Sequence, residues 1–233
     1  MNKLARLVEV ASNVLRVPEK TMRSRVMLLR KNSLWSSIGK GIRADPAPSD
    51  ASNLLLSFLG GGLVTETAET VRLLRDCLYI ASSKDAALPP VSLFADFERR
   101  HTLGNVLDAL FAQWSERGPP VSLDSHLPLT NVTLTIERYS RGWDVELLLR
   151  RHIKKKWSKE LWIVDYEFFP ELLAASGQKQ LARAAQRMAE KGGDLVTSAR
   201  VSERTFTALA DCLSRPTHRA SRQPTRQQDK LAN

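Results

Sequence analysis

The chain has 233 residues, of which 42% are apolar and 26% charged, with two cysteines and a formal net charge of +10. This composition excludes a collagen-like, wholly disordered or disulfide-stapled protein, and the length accommodates a small domain followed by a medium one. No window of about eighteen apolar residues occurs, and Arg6, Glu9, Ser12 and Asn13 interrupt the first fifteen residues, so a cytoplasmic protein with no signal peptide and no membrane span is expected.

In chain order, Leu4, Leu7, Val8, Ala11, Val14 and Leu15 repeat at helical spacing and predict a first helix that stops at Arg16-Val17-Pro18. Pro18-Glu19 opens a second helix, because proline fits a first turn and an early glutamate complements the helix dipole. It runs to about Lys31, with Met22, Val26 and Leu29 on one face and Lys20, Arg23, Ser24, Met27, Arg30 and Lys31 on the opposite one. After Asn32-Ser33-Leu34-Trp35, the stretch 36–43 carries Gly39-Lys40-Gly41, read as the tip of a small β-ribbon, and Arg43. Pro46 and Pro48 close it. Ser49 is the expected N-cap of a third helix whose Ala51, Leu54, Leu55 and Phe58 face a core and which ends at Gly60-Gly61-Gly62, a domain boundary or hinge.

Beyond the glycines the spacing predicts a helix over about 65–82, packed through Val71, Leu74 and Leu78, and Pro89-Pro90 breaks the chain. A helix over about 97–115 presents the stripe Leu103, Val106, Leu107, Leu110, Phe111 and Trp114. Val132, Leu134 and Ile136 alternate with polar residues, as do Trp143, Val145, Leu147 and Leu149 after Ser140-Arg141-Gly142, which is the pattern of a short-turned hairpin. A third strand, 161–169, puts Trp162, Val164, Tyr166 and Phe168 on one face, and the connection Arg150 to Lys159 is a basic cluster around Trp157. A helix over about 171–191, an edge strand over about 194–201, and a last helix capped by Ser202 and packed through Phe206, Leu209, Ala210 and Leu213 complete the folded part. Cys77 and Cys212 fall on apolar helical faces and read as buried, reduced thiols. After Pro216 the composition turns to Arg, Gln, Ser, Thr and Pro, so 215–233 is expected to be a disordered basic tail.

The charge is concentrated at the two ends. Residues 1–43 hold ten Lys/Arg against Glu9 and Glu19, and residues 215–233 hold five against Asp229, while the 171 residues between them carry 20 basic and 22 acidic side chains. A focused basic surface attracts polyanions by counterion release, with DNA the commonest such partner and RNA or an acidic protein the alternatives. A recognition helix needs long donors on the face away from its core, and a wing needs a tight tip whose Lys or Arg reaches phosphate. Arg23, Lys20, Ser24 and Met27 would then meet the groove, and Arg30, Lys31, Lys40 and Arg43 the phosphates; the competing reading is a solvated face on a domain that binds protein.

The run Thr21-Met22-Arg23-Ser24-Arg25 through Leu28-Leu29-Arg30-Lys31-Asn32-Ser33-Leu34, followed by Gly39-Lys40-Gly41, resembles the recognition helix and wing of MerR-type winged helix-turn-helix regulators. With Asp50-Ala51-Ser52-Asn53-Leu54-Leu55 it also resembles the N-terminal modules of phage and prophage proteins, which implies a phage context. Chemistry is less well supplied. His101, His126, His152 and His218 have no Cys or carboxylate at metal spacing, and Gly39-Lys40-Gly41 lacks the upstream glycine and following Ser/Thr of a phosphate-binding loop. Asp144-x-Glu146 and Asp165-x-Glu167 sit on strands as nuclease carboxylates do, but neither has a lysine two residues on. Two further basic stretches stay open: Trp157 among its lysines would stack a base or is simply solvated, and the tail is a DNA-binding arm or a solubilising end.

The expectation is therefore an α+β protein: a winged helix-turn-helix-like DNA-binding domain over 1–60, an α+β oligomerisation or partner-binding domain over 64–214, and the basic tail. It would bind double-stranded DNA without enzymatic activity, metal or cofactor, as a homo-oligomeric phage or prophage transcriptional regulator. The alternatives are a DNA-packaging recognition subunit similar in role to small terminase subunits, and a protein-binding adaptor without DNA affinity.

Overall fold

Helical spacing in the first thirty residues produces two helices, α1 (Lys3–Leu15) and α2 (Glu19–Lys31). They belong to a computed structural model that describes residues 3–36, 45–61, 63–82, 88–97, 101–124, 126–139, 142–152, 159–168 and 195–214. Leu7, Val8 and Ala11 of α1 are buried, as are Met22, Val26 and Leu29 of α2, which are the faces their apolar spacing selects.

Both helices stop by the same device. At the end of α1 the Val17 N–H donates to the Ser12 carbonyl (3.0 Å) and the Arg16 N–H to Asn13 (3.4 Å); at the end of α2 Leu34 donates to Leu29 (2.9 Å) and Ser33 to Arg30 (3.2 Å). These are Schellman pairs, and they require a left-handed residue between them. Arg16 (φ 54°) and Ser33 (φ 58°) take that conformation although neither is glycine.

The chain continues through α3 (Pro48–Leu59), a short 3₁₀ turn at Val64–Glu66, α4 (Thr67–Arg75), β1 (Leu78–Ser82), a 3₁₀ turn at Ser92–Phe94, and α5 (Leu103–Arg117). Then come β2 (Asn131–Tyr139), β3 (Gly142–His152), β4 (Lys159–Phe168), β5 (Leu195–Ser202) and α6 (Glu203–Leu213). The expected α+β class holds: the described residues form these helices and one five-stranded sheet in the order β1-β4-β3-β2-β5, antiparallel at every pairing. β2 and β3 form the expected hairpin, closed by Tyr139 opposite Gly142, and the expected edge strand is β5, paired with β2.

Alternation puts Val132, Leu134, Ile136, Val145, Leu147, Leu149, Val164 and Tyr166 on one buried sheet face. They share a continuous apolar cluster with Leu103, Leu107, Leu110, Phe111 and Trp114 of α5 and Phe206, Leu209 and Ala210 of α6. The same cluster takes in Leu7, Met22, Leu29 and Leu55, because α1 packs on α6 and α3 on α5. At Gly60, just after α3, the chain passes close to α4: a Cβ there would meet the Thr70 methyl and approach Leu74 Cδ1 to 2.6 Å.

Four local expectations are corrected. The helix expected over 65–82 ends at Arg75, and Leu78–Ser82 is a strand, because Leu-Tyr-Ile suits a sheet and β4 offers a free edge to pair with; Leu78 and Cys77 accordingly lie beyond the helix. The helix expected from 97 starts at Leu103, where Thr102 accepts the Asn105 N–H (3.3 Å), and Phe97 lies ahead of it. Ser49 is not the cap of α3: Pro48 takes the first helical position and the Asp50 carboxylate accepts the Ala47 N–H (2.7 Å). Arg150, Arg151, His152 and Lys159, expected in a loop, belong to β3 and β4, while 153–158 with Trp157 lie outside the described residues. The helix expected over 171–191, the ribbon expected over 36–43 apart from Ser36, and the tail also lie outside them.

Candidate nucleic-acid interface

α2 follows α1 after three residues, Arg16 to Pro18, and packs against α1, α3 and α4. That leaves one long side of the helix uncovered by the described residues. Lys20, Arg23, Met27, Arg30 and Lys31 are all exposed there, Met27 to 70%. An apolar side chain that open among cations is what a surface looks like when no part of its own fold covers it.

The residues of this side are not equivalent. Arg23 pairs with Glu19 one turn earlier, Nε donating to Oε1 at 2.9 Å and Nη2 to the same oxygen, with the arginine side chain 65% exposed. Ser24 is half-buried and spends its hydroxyl proton on the Lys20 carbonyl (3.0 Å). Lys20, Arg30 and Lys31 form no ion pair among the described residues, unlike Arg23. Of the eight expected contact residues, six are thus brought onto one helix, and Lys40 and Arg43 lie outside the described residues.

Arg25 was missed as a structural residue. It is 7% exposed, its Nη1 donates to the Ser57 carbonyl and to Thr67 Oγ1 (3.1 Å), and its guanidinium lies 4.7 Å from the centre of the Phe58 ring. Burial lowers its pKa from the ordinary guanidinium value. Helical spacing could have found it, since four residues turn the helix by only about 40° past a full circle and put Arg25 beside buried Leu29. It bolts α2 to α3 and α4 and leaves the basic side one cation poorer than composition suggests.

The Asp50 to Leu55 run does related work. Buried Asp50 accepts from the Ser36 N–H (2.6 Å) and hydroxyl as well as from the Ala47 N–H, tying Ser36 to the start of α3. Asn53 donates to the Leu34 carbonyl (2.6 Å) and accepts from Arg75 Nη1 (2.8 Å), and Arg75 makes a two-pronged bond to Asp108 (3.1 and 2.6 Å) on α5. A chain of polar contacts therefore runs from the end of α2 through α3 and α4 into α5.

The other candidates fall elsewhere. His101 is buried, stacked on Tyr79 with ring centres 5.0 Å apart, and shares a hydrogen bond of 3.1 Å with the Tyr166 hydroxyl. Burial, then Tyr79 and Asp165, push the Tyr166 pKa well above its ordinary value. Glu137 stands opposite Asp144, and Glu146 opposite Asp165, on the sheet face away from the core. Burial, with Asp144 and Glu146 adding to it, raises Asp165 to about 6; Asp144 is raised by burial, then by Glu137 and Glu146. No group of three or more His, Cys, Asp or Glu side chains among the described residues is placed to hold a metal ion. Cys77 and Cys212 are both buried, and neither is in a disulfide; no helix among the described residues is long and apolar enough to cross a membrane. No protein-family model, curated protein or solved structure matches the chain.

Proposed function

We propose that the chain binds duplex DNA through the exposed side of α2, in a winged helix-turn-helix-like arrangement, and acts as a non-enzymatic phage or prophage transcriptional regulator. One observation carries this reading: a helix anchored on one side by Met22, Arg25, Val26 and Leu29 presents Lys20, Arg23, Met27, Arg30 and Lys31 on the other. Three residues separate it from α1, as in a helix-turn-helix. Arg23 and Met27 would read base edges, Arg23 as a bidentate donor and Met27 against a thymine methyl, with Ser24 beside them. Lys20, Arg30 and Lys31 would hold phosphates, together with Lys40 and Arg43 from the stretch between Ser36 and α3. The remaining helices and the sheet would supply the surface for a homo-oligomer.

The full-length chain is to be titrated with a random-sequence duplex at low and moderate salt by gel shift, with its mass in solution measured alongside. Affinity that falls steeply with salt, on a symmetric dimer, is the expected result. A ring would move the reading to DNA packaging, and no affinity at any salt would leave a protein-binding adaptor.

A further inference from the structure

Two arginines in the last turn of α4 reach toward the turn that ends α2, and their surroundings differ. Arg75 bonds the Asp108 carboxylate through both terminal nitrogens (3.1 and 2.6 Å) and Asn53 Oδ1 (2.8 Å), with its side chain 22% exposed. Arg72 is exposed and donates from Nη2 to the Asn32 carbonyl (3.1 Å). It makes no ion pair with any described residue, although Glu69 and Asp76 are exposed close to it in the chain.

Asn32 is the C-cap of α2 and directly follows Lys31. The bond from Arg72 therefore holds a guanidinium of α4 at the end of α2 that carries exposed Arg30 and Lys31. One residue turns a helix by about 100°, so Arg72 joins from the flank of the basic side and widens it onto a second helix. Next to it the chain turns through exposed Ser33. A neutral carbonyl occupies one of the five N–H groups of an arginine and cancels none of its charge. A guanidinium steadied at one nitrogen, without a carboxylate and beside two more cations, matches the fork geometry and charge of a phosphate.

We infer that the duplex-binding surface continues from α2 onto α4, with Arg72 holding a backbone phosphate next to the one held by Lys31. This extension rests on the DNA reading of α2 proposed above and adds a contact from outside that helix. Its test measures duplex affinity against salt by gel shift in the full-length parent, Arg72→Gln and Arg72→Lys. Arg117→Gln, which removes an exposed and likewise unpaired arginine from α5, is the control for losing one charge elsewhere. Arg72→Gln should lower the slope of log affinity against log salt by about one and weaken binding to all sequences several-fold. Arg72→Lys and Arg117→Gln should keep the parent slope. An unchanged slope in Arg72→Gln, with the parent binding in a salt-dependent way, would overturn the extension and leave the reading of α2 standing. Equal losses in Arg72→Gln and Arg72→Lys would assign the effect to the bond with Asn32, and equal losses in Arg72→Gln and Arg117→Gln to overall charge; either would overturn it too. A parent with no duplex affinity at any salt would overturn both.

Discussion

Glu19 and Arg23 show how the choice of neighbour decides what a surface charge can do. An exposed i,i+4 pair of this kind is worth about 0.2–1 kcal/mol, little enough for a DNA base to replace it. Removing the acid should help DNA twice over, by releasing Arg23 and by taking away a repelling charge, so Glu19→Gln is expected to tighten binding a few-fold in a gel-shift titration. Arg23→Ala should weaken binding to a preferred site by about 1–3 kcal/mol and flatten preference among sequences, whereas Arg30→Ala should weaken all sequences alike. Selection from a random duplex library distinguishes the two, and an unchanged preference in Arg23→Ala would show that α2 does not read bases. On the sheet, Asp165 makes a separate prediction about pH. Its folded pKa of about 6 lies above the value of about 4 for an unfolded aspartate, so between these values the native state holds a proton that the unfolded state has lost. Stability should therefore fall as pH rises from about 4 to about 6. Melting curves of Asp165→Asn should show a higher Tm than the parent at pH 7 and a flatter profile across that window; an identical profile would mean the carboxyl is not held protonated.

At the scale of elements, what could be read in the sequence followed the strength of its periodicity. The stripe from Leu103 to Trp114 and the alternation of β2 and β3 each name one buried face without ambiguity, and all the residues named for α5 are buried. β1 could not be read, because Leu78-Tyr79-Ile80 continues the apolar spacing of α4 and only pairing with β4 makes it a strand. The helix stops were half legible. Pro18 marked the end of α1 approximately, but the residues that take the left-handed turn, Arg16 and Ser33, carry no signal, since glycine is the usual occupant. At Ser33 this gives a direct test: Ser33→Gly should raise stability by about 0.5–1 kcal/mol in urea unfolding, by relieving the left-handed residue that ends α2. A destabilised variant would mean that the Schellman turn is not what stops the helix.

Across the whole molecule, composition located the basic character but overestimated its reach. Of the ten cations in residues 1–43, Arg25 is buried, Arg23 is paired, and Lys3 bonds Asp45 at 2.7 Å. Only burial and partners, which depend on tertiary packing, separate such cations from Lys20, Arg30 and Lys31. The central claim, that the open side of α2 is a DNA-binding surface, is tested most directly by the salt dependence of duplex affinity in the full-length chain and in the variant Lys20→Ala, Arg30→Ala, Lys31→Ala. All three side chains are exposed, so the variant should melt near the parent temperature. If each neutralises one phosphate, the plot of log affinity against log salt should be linear for the parent and shallower by about two to three in the triple variant. An identical slope and affinity in the two proteins would contradict the account.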